Sequence, residues 1–547
     1  MLTRVLNTDR VLSSGQDQGQ RFFHLSGTRS LGSRAPLTVG IVTAVVYLLL
    51  GSTWAFSSPV FSLPDEYSHA VKAAAVVRGD IIPTSKTVGE WVTVPSWLNT
   101  ASWVCFAGHS EVTAHCQTPM THSNSLTAQK TYAGRYPPFY YALVGWPTLL
   151  FAGSSAFYAQ RELTVLLSAL LLGLAAWSAS SAPNNCRVLL ALGVAITPMT
   201  IYFMGGVNPQ APEITAAVGV WISGWALLQN RREFNRGALT RFTISACALA
   251  LCRPLSALWL TVIVASLLIG FSQASHWTVF RQSLPAKICA GTVLLASLTQ
   301  MAWVASTGAL TQSTLGVHMS TVDAIVESMS RQFSWLVQMI GFFGWLDTMS
   351  WPPVYVVWLV AATCLVITAL RLGTPRERLA LALVIAGSMA IPTIAEVATR
   401  DQTGFAWQGR YTLPLSIGVI LSSGMIASRR FRSRADGRSW DHVARIVIVP
   451  MVGAAHFFAW SSALKRYGSG ASSGFPFGDD VIKWAPPGGT WMWVSVMGFA
   501  SVLFTVWLLW VTAAGPDDEL SSLNVVPTVM AVPVAPRKTL SSIADVD

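Results

Sequence analysis

Long uninterrupted apolar runs constrain this chain more than any other feature of its sequence. Most of these runs extend over roughly 17–22 residues, the length at which an α-helix crosses a bilayer, without the alternation of membrane β-strands. Hydrophobic residues make up 52% of the 547 positions and charged residues only 11%, whereas soluble proteins carry about 25% charged residues. The sequence therefore predicts an all-α polytopic membrane protein with about 11–13 transmembrane helices.

The apolar runs and their connections predict the order of the segments. The first run is 37–57, and later runs lie at 162–181, 188–204, 211–229, 242–252, 254–271, 287–306, 353–371, 379–396, 410–427, 443–461 and 491–513. Residues 139–153 are apolar too, but a full span there would invert the direction of everything that follows. The sequence leaves open whether this segment spans the membrane or is re-entrant.

Arginines cluster between the apolar runs and predict the orientation of the chain. Although the formal net charge is +11, this clustering indicates cytoplasmic loops and not a nucleic-acid partner. Residues 1–36 and 514–547 are predicted to be disordered cytoplasmic segments that flank a transmembrane domain over 37–513. The loop 58–137 then lies outside the cytoplasm. Arginine-rich connections that support this assignment contain Arg231, Arg232, Arg236, Arg241, Arg371, Arg376, Arg378, Arg429, Arg430, Arg432, Arg434 and Arg438.

An acidic box, Leu63-Pro64-Asp65-Glu66-Tyr67-Ser68-His69, begins the large outer loop. Charge beside hydrocarbon is costly and therefore points to function. Asp65 and Glu66 fit a general base, a metal-ligand pair or both, and they fit equally well a pair that stabilises the start of a helix. His69 fits a residue that orients Asp65, contacts phosphate or binds metal, but a lone histidine is more often a structural hydrogen-bond partner.

Polar residues on the same predicted side complete a candidate pocket. Arg410 opens a span where arginines are otherwise scarce, and its planar fork suits a phosphate, although it also fits an arginine directed at lipid headgroups. Gly409 would allow the backbone to approach a ligand. Arg253, between two apolar runs, calls for an anionic partner. Asn208 lies on the same predicted side.

Two of the seven cysteines lie in the loop with the acidic box. Because that loop is predicted to be extracytoplasmic, a disulfide between Cys105 and Cys116 is one interpretation and a pair of free thiols is the other. Their spacing does not match a structural metal site. The remaining cysteines fit packing residues within or beside apolar runs.

The ordered motifs resemble a bacterial membrane-protein family catalogued as domain of unknown function 2142. The resemblance extends over roughly 37–465. The paired Cys105 and Cys116 are similar to those of actinobacterial members. The motifs are Pro64-Asp65-Glu66-Tyr67-Ser68-His69, Tyr136-Pro137-Pro138-Phe139-Tyr140-Tyr141, Val207-Asn208-Pro209, Gly344-Trp345-Leu346-Asp347 and Gln408-Gly409-Arg410-Tyr411.

That family is similar to the GT-C glycosyltransferases, so the resemblance implies a GT-C-like bundle in the bacterial cytoplasmic membrane. It implies inverting transfer of a sugar from a polyprenyl-phosphate donor to an extracytoplasmic glycan, lipid or protein acceptor. Asp65 matches the catalytic acidic position and Glu66 its companion. The Gln408, Arg410 and Tyr411 motif would contact phosphate, and a Mg²⁺ or Mn²⁺ ion fits the acidic pair. The sequence departs from many relatives at Arg253, where lysine is expected.

Two other functions fit the same features. A transporter or flippase of lipid-linked glycans would use the arginines for phosphate and the carboxylates for proton coupling. The sequence shows no internal repeat of the kind that marks many transporters. A polymerase or ligase of surface polysaccharide would also have many helices and a large outer loop.

Overall fold

Helices follow the apolar runs of the sequence closely. A computed structural model describes residues 35–85, 90–99, 104–310, 316–431, 435–472 and 482–513. The two segments predicted to be disordered, 1–36 and 514–547, lie almost entirely outside these ranges. Proline opens many of the helices, because its fixed backbone angle suits the first turn and its missing N–H is not needed there.

The described helices, in chain order, are α1 (Pro36–Ser57), α2 (Glu66–Val76), α3 (Pro138–Gly145), α4 (Pro147–Leu150), α5 (Gly153–Ser180), α6 (Cys186–Ala195), α7 (Pro198–Met204), α8 (Gln210–Leu227), α9 (Arg236–Cys252), α10 (Ser256–Phe271), α11 (Ala274–Gln282), α12 (Leu284–Thr307), α13 (Thr321–Ser330), α14 (Gln332–Gly341), α15 (Pro352–Leu372), α16 (Pro375–Thr403), α17 (Leu413–Arg430), α18 (Ala435–Val443), α19 (Val449–Ser469) and α20 (Thr490–Thr512). A π-helical turn, Ala444–Ile448, joins α18 to α19.

The all-α polytopic fold is confirmed. Within the described ranges, eight helices are long and apolar enough to cross a membrane, or nine if the bent pair α6 and α7, with an angle of 69°, forms one span. That number is below the predicted 11–13. The difference comes from α8, α9 and α10, which the sequence assigned as spans. Helices α9 and α10, at 17 and 16 residues, are shorter than the helices counted as spans, and α8, at 18 residues, is not apolar enough. All three pack within the same bundle.

Residues 139–153 form two short helices and no span. Helix α3 has eight residues and α4 has four, so neither approaches the roughly 20 residues that a membrane crossing needs. Helix α3 packs against α2 of the acidic loop. The next span, α5, is one continuous helix of 28 residues, which removes the parity problem left by the sequence.

Helices α1 and α5 pack with their backbones close together. A Cβ placed on Gly40 would lie 2.9 Å from the Gly173 carbonyl oxygen, and one placed on Gly173 would lie 2.8 Å from the Gly40 carbonyl oxygen. Small residues let helix backbones approach this closely. The resulting van der Waals packing stabilises the helix pair, because the hydrophobic effect does not drive helices together inside a membrane.

A small sheet covers α2 on the side of the large loop. Strands β1 (Thr84–Ser85), β2 (Glu90–Pro95) and β3 (Leu126–Thr131) pair antiparallel in that order, with Glu90 opposite Thr131. A second, two-stranded hairpin, β4 (Phe342–Phe343) with β5 (Thr348–Met349), follows α14. The structure joins Cys105 and Cys116 by a disulfide with a Cα–Cα distance of 6.2 Å.

Candidate functional site

Asp65 lies where the large loop enters α2. Its backbone is left-handed, with φ at 63°, a conformation that aspartate adopts more readily than most residues. The carboxylate makes no capping hydrogen bond to the helix, so the helix-cap alternative does not describe Asp65. Its Oδ2 atom instead accepts a hydrogen bond of 2.8 Å from Nη2 of Arg410.

Arg410 is buried and directed at Asp65. It belongs to a 3₁₀ turn, Gly409–Thr412, immediately before α17. Its side chain is 1% exposed, whereas that of Asp65 is 45% exposed. The guanidinium lies 5.1 Å from the ring centre of Phe203 and 5.0 Å from that of Tyr411. The aspartate therefore remains accessible, while the arginine holds it from the protein side.

The small size of Gly409 makes room for a neighbouring helix, whereas the sequence predicts that it makes room for a ligand. A Cβ at this position would lie 2.1 Å from the backbone oxygen of Trp335, so the close approach is by α14 and not by a ligand. The Gly409 N–H donates to Gln338 at 2.7 Å. The neighbouring Gln408 has a buried Oε1 atom without a hydrogen-bond partner in the described structure.

Positive charge around Asp65 favours its ionised form. Burial alone would raise the pKa of Asp65, but the guanidinium groups of Arg410 and Arg253 lower it below the ordinary value. An opposite charge within hydrogen-bond distance stabilises the carboxylate more than the acid. Asp65 is therefore a carboxylate at neutral pH and can accept a proton.

Glu66 points away from this site although it follows Asp65 directly. Its two carboxylate oxygens accept hydrogen bonds of 2.8 Å from Nε and Nη2 of Arg161, and both side chains are completely buried. The Val207 N–H also donates to Glu66, at 3.0 Å. Because Glu66 is completely buried against Arg161, this geometry is that of a positioning residue, and its role as the catalytic companion of Asp65 stays a prediction.

Arg161 ties the exit of α1 to the acidic box. Beyond Glu66, its guanidinium donates to the carbonyl oxygens of Ala55, Ser58 and Pro59 at 2.7–2.8 Å. These carbonyls lie at the end of α1, where carbonyl oxygens have no N–H partner within the helix. The Arg161–Glu66 pair thereby fixes the turn that presents Asp65.

His69 is a buried neutral imidazole. Its Nδ1 atom lies 2.8 Å from the Tyr141 hydroxyl, and burial lowers the pKa of His69 to about 3. A neutral ring cannot act as a cation toward phosphate at physiological pH. The contact with Tyr141 joins α2 to α3.

Asn208 supports the loop that contains Asp65. Its side-chain amide donates to the Pro64 carbonyl at 3.4 Å, and its Oδ1 atom accepts from the Gln210 N–H at 3.0 Å. The side chain is buried. Asn208 therefore holds the backbone just before Asp65.

Arg253 opens onto a cavity of about 350 Å³. Its Nη1 atom donates to Glu213 at 3.0 Å, and Glu213 also accepts from Ser256 at 2.6 Å. The Arg253 Nε atom is buried and has no hydrogen-bond partner in the described structure. The cavity is lined by Tyr136, Arg253, Pro254, Leu255, Trp259, Ala309, Leu310, Ala395, Glu396, Thr399, Thr403, Gly404, Ala406, Trp407 and Tyr411.

Tyr411 joins the cavity to Asp65. Its ring lies between two guanidinium groups, 4.9 Å from Arg253 and 5.0 Å from Arg410. Guanidinium groups are attracted to aromatic faces at such distances. The order Arg253, Tyr411, Arg410, Asp65 thus links a cavity-lining cation to an accessible carboxylate. The structure therefore brings these four predicted site residues together, each in contact with the next.

Arg466 is a structural arginine that the sequence reasoning did not single out. It donates to the carbonyls of Phe106, His109 and Val112 and to Asp347, all at 2.7–2.9 Å. This network anchors the loop that contains the disulfide. An arginine near the outer end of a span was the signal that identified Arg410, and it could have identified Arg466 as well.

The donor set does not fit a divalent cation at the acidic pair. Both Glu66 oxygens are engaged by Arg161, and Asp65 shares Oδ2 with Arg410. In the described part of the chain, groups of three or more histidine, cysteine, aspartate or glutamate residues that could hold a metal do not occur.

A family model described as "Predicted membrane protein (DUF2142)" matches residues 48–419, about two thirds of the chain. The chain belongs to the DUF2142 family. The matched region of this DUF2142 protein includes Asp65, Arg253 and Arg410, whereas Arg466 lies outside it. No curated protein matches the sequence significantly.

Among solved structures, this DUF2142 protein is similar to ArnT from Cupriavidus metallidurans. The ArnT crystal structure bound to undecaprenyl phosphate has a TM-score of 0.43 and 15% identity, and the match covers 87% of this chain and 77% of ArnT. The apo ArnT structure has a TM-score of 0.43 and 13% identity, with 86% and 76% covered.

Proposed function

We propose that this DUF2142 protein is an inverting glycosyltransferase of the bacterial cytoplasmic membrane. It transfers a sugar from a polyprenyl-phosphate donor to a cell-envelope acceptor at the extracytoplasmic face, and its N-terminus lies in the cytoplasm. The reaction type comes from the motif resemblance. The observation that carries the proposal is the accessible Asp65 carboxylate, held by the buried Arg410 beside a cavity with the cation Arg253.

Asp65 acts as the general base in this proposal. Arg410 occupies Oδ2, so Oδ1 is the oxygen that accepts the proton from the acceptor hydroxyl. The hydroxyl oxygen forms a bond to the anomeric carbon, and the bond from that carbon to the phosphate oxygen breaks. Arg410 keeps this base ionised, and the proton transfer accompanies bond formation.

Arg253 is the cation best placed for the leaving phosphate. It lines the cavity and its Nε–H has no partner in the described structure, whereas Arg410 is buried and already paired with Asp65. Charge that develops on the phosphate oxygen is stabilised by a donor held in place before reaction. The pair with Glu213 fixes the orientation of Arg253.

A hydrocarbon-lined groove adjoins the turn of Arg410. It has a volume of about 580 Å³ and includes Phe333, Leu336, Met339 and Leu413. On its inner side, the Trp335 carbonyl packs against Gly409. The apolar lining of the groove suits an isoprenoid chain, which supports a lipid-linked donor.

Reconstitution tests this function against its main rival. Purified protein in liposomes is supplied with polyprenyl-phosphate sugars and cell-envelope acceptors, and both sugar transfer and transbilayer movement of the donor are measured. We expect transfer that releases free polyprenyl phosphate. Movement of intact donor without transfer would instead identify a flippase and contradict the proposed enzyme.

Replacing Arg253 by glutamine should raise the KM for the donor about ten- to a hundredfold, since a hydrogen bond between charged groups is lost. Steady-state kinetics at varied donor concentration measures this change. Arg253→Lys is the matched control, because it keeps a charge for Glu213 and should have the smaller effect. An unchanged KM in Arg253→Gln would contradict the assignment of Arg253 to phosphate.

Replacing Arg410 by glutamine should move the acid limb of the pH–activity profile upward. Arg410 lowers the pKa of Asp65, so the native enzyme keeps its ionised base until the pH falls through that lowered value. Without Arg410, burial raises the pKa, and activity is lost at a higher pH. The profile of kcat/KM measures the shift. Arg410→Lys should shift it less, and an unmoved limb in Arg410→Gln would contradict the coupling.

A further inference from the structure

A second buried carboxylate lines the cavity of Arg253. Glu396 comes from α16, is 3% exposed and follows the helix proline Pro392 by four positions. Its Oε1 atom accepts from the Trp407 N–H at 3.1 Å. Its Oε2 atom is buried and makes no hydrogen bond to any described residue. None of the chemistry proposed above uses this group.

A buried carboxylate oxygen without a donor is costly, so it indicates a missing partner. The Ser328 hydroxyl interacts with the same carboxylate but makes no hydrogen bond to it of regular geometry. The missing hydrogen-bond donor to Glu396 is therefore either the Ser328 hydroxyl, after a rotation, or a molecule in the cavity. Glu396 lines the cavity and Ser328 does not.

The walls of the cavity suit a sugar ring. Tyr136, Trp259 and Trp407 give it aromatic surface, and Glu396 and Arg253 are its charged side chains. Its volume of about 350 Å³ is at the lower end of the range of about 300–1,000 Å³ for small-molecule sites. The apolar faces of a sugar ring can pack against these aromatic walls, and its hydroxyls can hydrogen-bond with the few polar groups.

We propose that the cavity holds the glycosyl unit of the donor and that the Glu396 carboxylate accepts hydrogen bonds from its hydroxyls. This inference rests on the proposed function and specifies its substrate class. A neutral hydroxylated sugar supplies the donors that Oε2 lacks. A uronic acid would place a second carboxylate beside Glu396 and is disfavoured by charge repulsion. Glu396 is thus a residue that determines donor specificity.

Equilibrium binding to the full-length protein in detergent tests the proposal. The probes are short-chain polyprenyl phosphate, alone and carrying glucose, mannose, galactose or glucuronic acid. We expect at least one neutral sugar to bind more tightly than the bare lipid phosphate and glucuronic acid to bind more weakly than the neutral sugars. Glu396→Gln should weaken the favoured sugar lipid about tenfold and leave bare polyprenyl phosphate unchanged.

Control variants separate this subsite from a structural role. Arg253→Gln should weaken the bare and the sugar-bearing lipid alike. Ser328→Ala should change the binding of neither lipid. A loss of binding equal to that of Glu396→Gln would show that Ser328 is the hydrogen-bond partner of the carboxylate. If no sugar binds better than the bare lipid, or Glu396→Gln affects both equally, the inference is wrong. Sugar-selective binding without any transfer would instead retain the subsite and overturn the proposed enzyme.

Discussion

Replacing Glu66 by glutamine is expected to destabilise the protein by about 3–5 kcal/mol, the cost of leaving one partner of a buried ion pair alone. Glutamine keeps the shape of the side chain but removes the charge that compensates Arg161. Both side chains are completely buried, so water cannot replace the lost partner. Unfolding by titration with a denaturing detergent measures the change in free energy.

An exposed pair in the same chain provides the matched control. Glu327 and Arg331 are four positions apart on the surface, with side-chain exposures of 42% and 36%. Glu327→Gln should cost no more than about 0.5 kcal/mol, as exposed helical pairs do. The double variant Glu66→Gln with Arg161→Met should recover part of the loss. Equal effects of Glu66→Gln and Glu327→Gln would contradict the structural role of the buried pair.

The helices could be predicted because their signal is local. Continuous apolar runs predicted where nearly every long helix lies, and arginine clusters marked their connections, but several bounds differ: α5 begins nine residues before its run and α16 ends seven residues after its run. The segment 139–153 was ambiguous because its composition resembles that of a span. Its interruption depends on Pro147 and on packing: a Cβ at Gly145 would lie 2.2 Å from the Ala73 carbonyl oxygen. Contact with α2 is not visible in a local apolar pattern.

The candidate site could be predicted by residue type but not by pairing. Asp65 and Arg410 were each identified, yet they are 345 positions apart, and no spacing rule predicts that they meet. Adjacent carboxylates in a sequence look equivalent. In the structure Asp65 faces the accessible site and Glu66 faces Arg161, 95 positions away, because successive residues entering a helix point in different directions.

Glu396 illustrates a further limit. In the sequence it is one glutamate near the end of an apolar run, and it received no role. Its significance depends on an oxygen without a partner and on the cavity beside it. Both features are formed by α16, Trp407 and Arg253 together, so only the assembled bundle shows them.

Replacing Asp65 by asparagine is expected to lower the rate of sugar transfer by about 10²–10⁴-fold, the usual contribution of a general base. The amide has nearly the same shape and can still accept from Arg410, so the fold should persist. It cannot take the proton of the acceptor hydroxyl. Because the amide does not contact the donor phosphate in this account, binding of bare polyprenyl phosphate should change little.

Asn208→Ala is the control for damage to the loop, since Asn208 holds the backbone before Asp65 without reaching the reacting atoms. Its effect on kcat should be smaller than that of Asp65→Asn. An intermediate effect is expected for Asp65→Glu, which keeps the base but displaces it.

The rate of polyprenyl phosphate release is the most direct measurement, made with the native protein and with Asp65→Asn in matched liposomes containing donor and acceptor. We expect acceptor-dependent release by the native protein and a loss of about 10²–10⁴-fold in Asp65→Asn, with unfolding behaviour and donor binding preserved. Release by Asp65→Asn at the native rate would contradict Asp65 as the base.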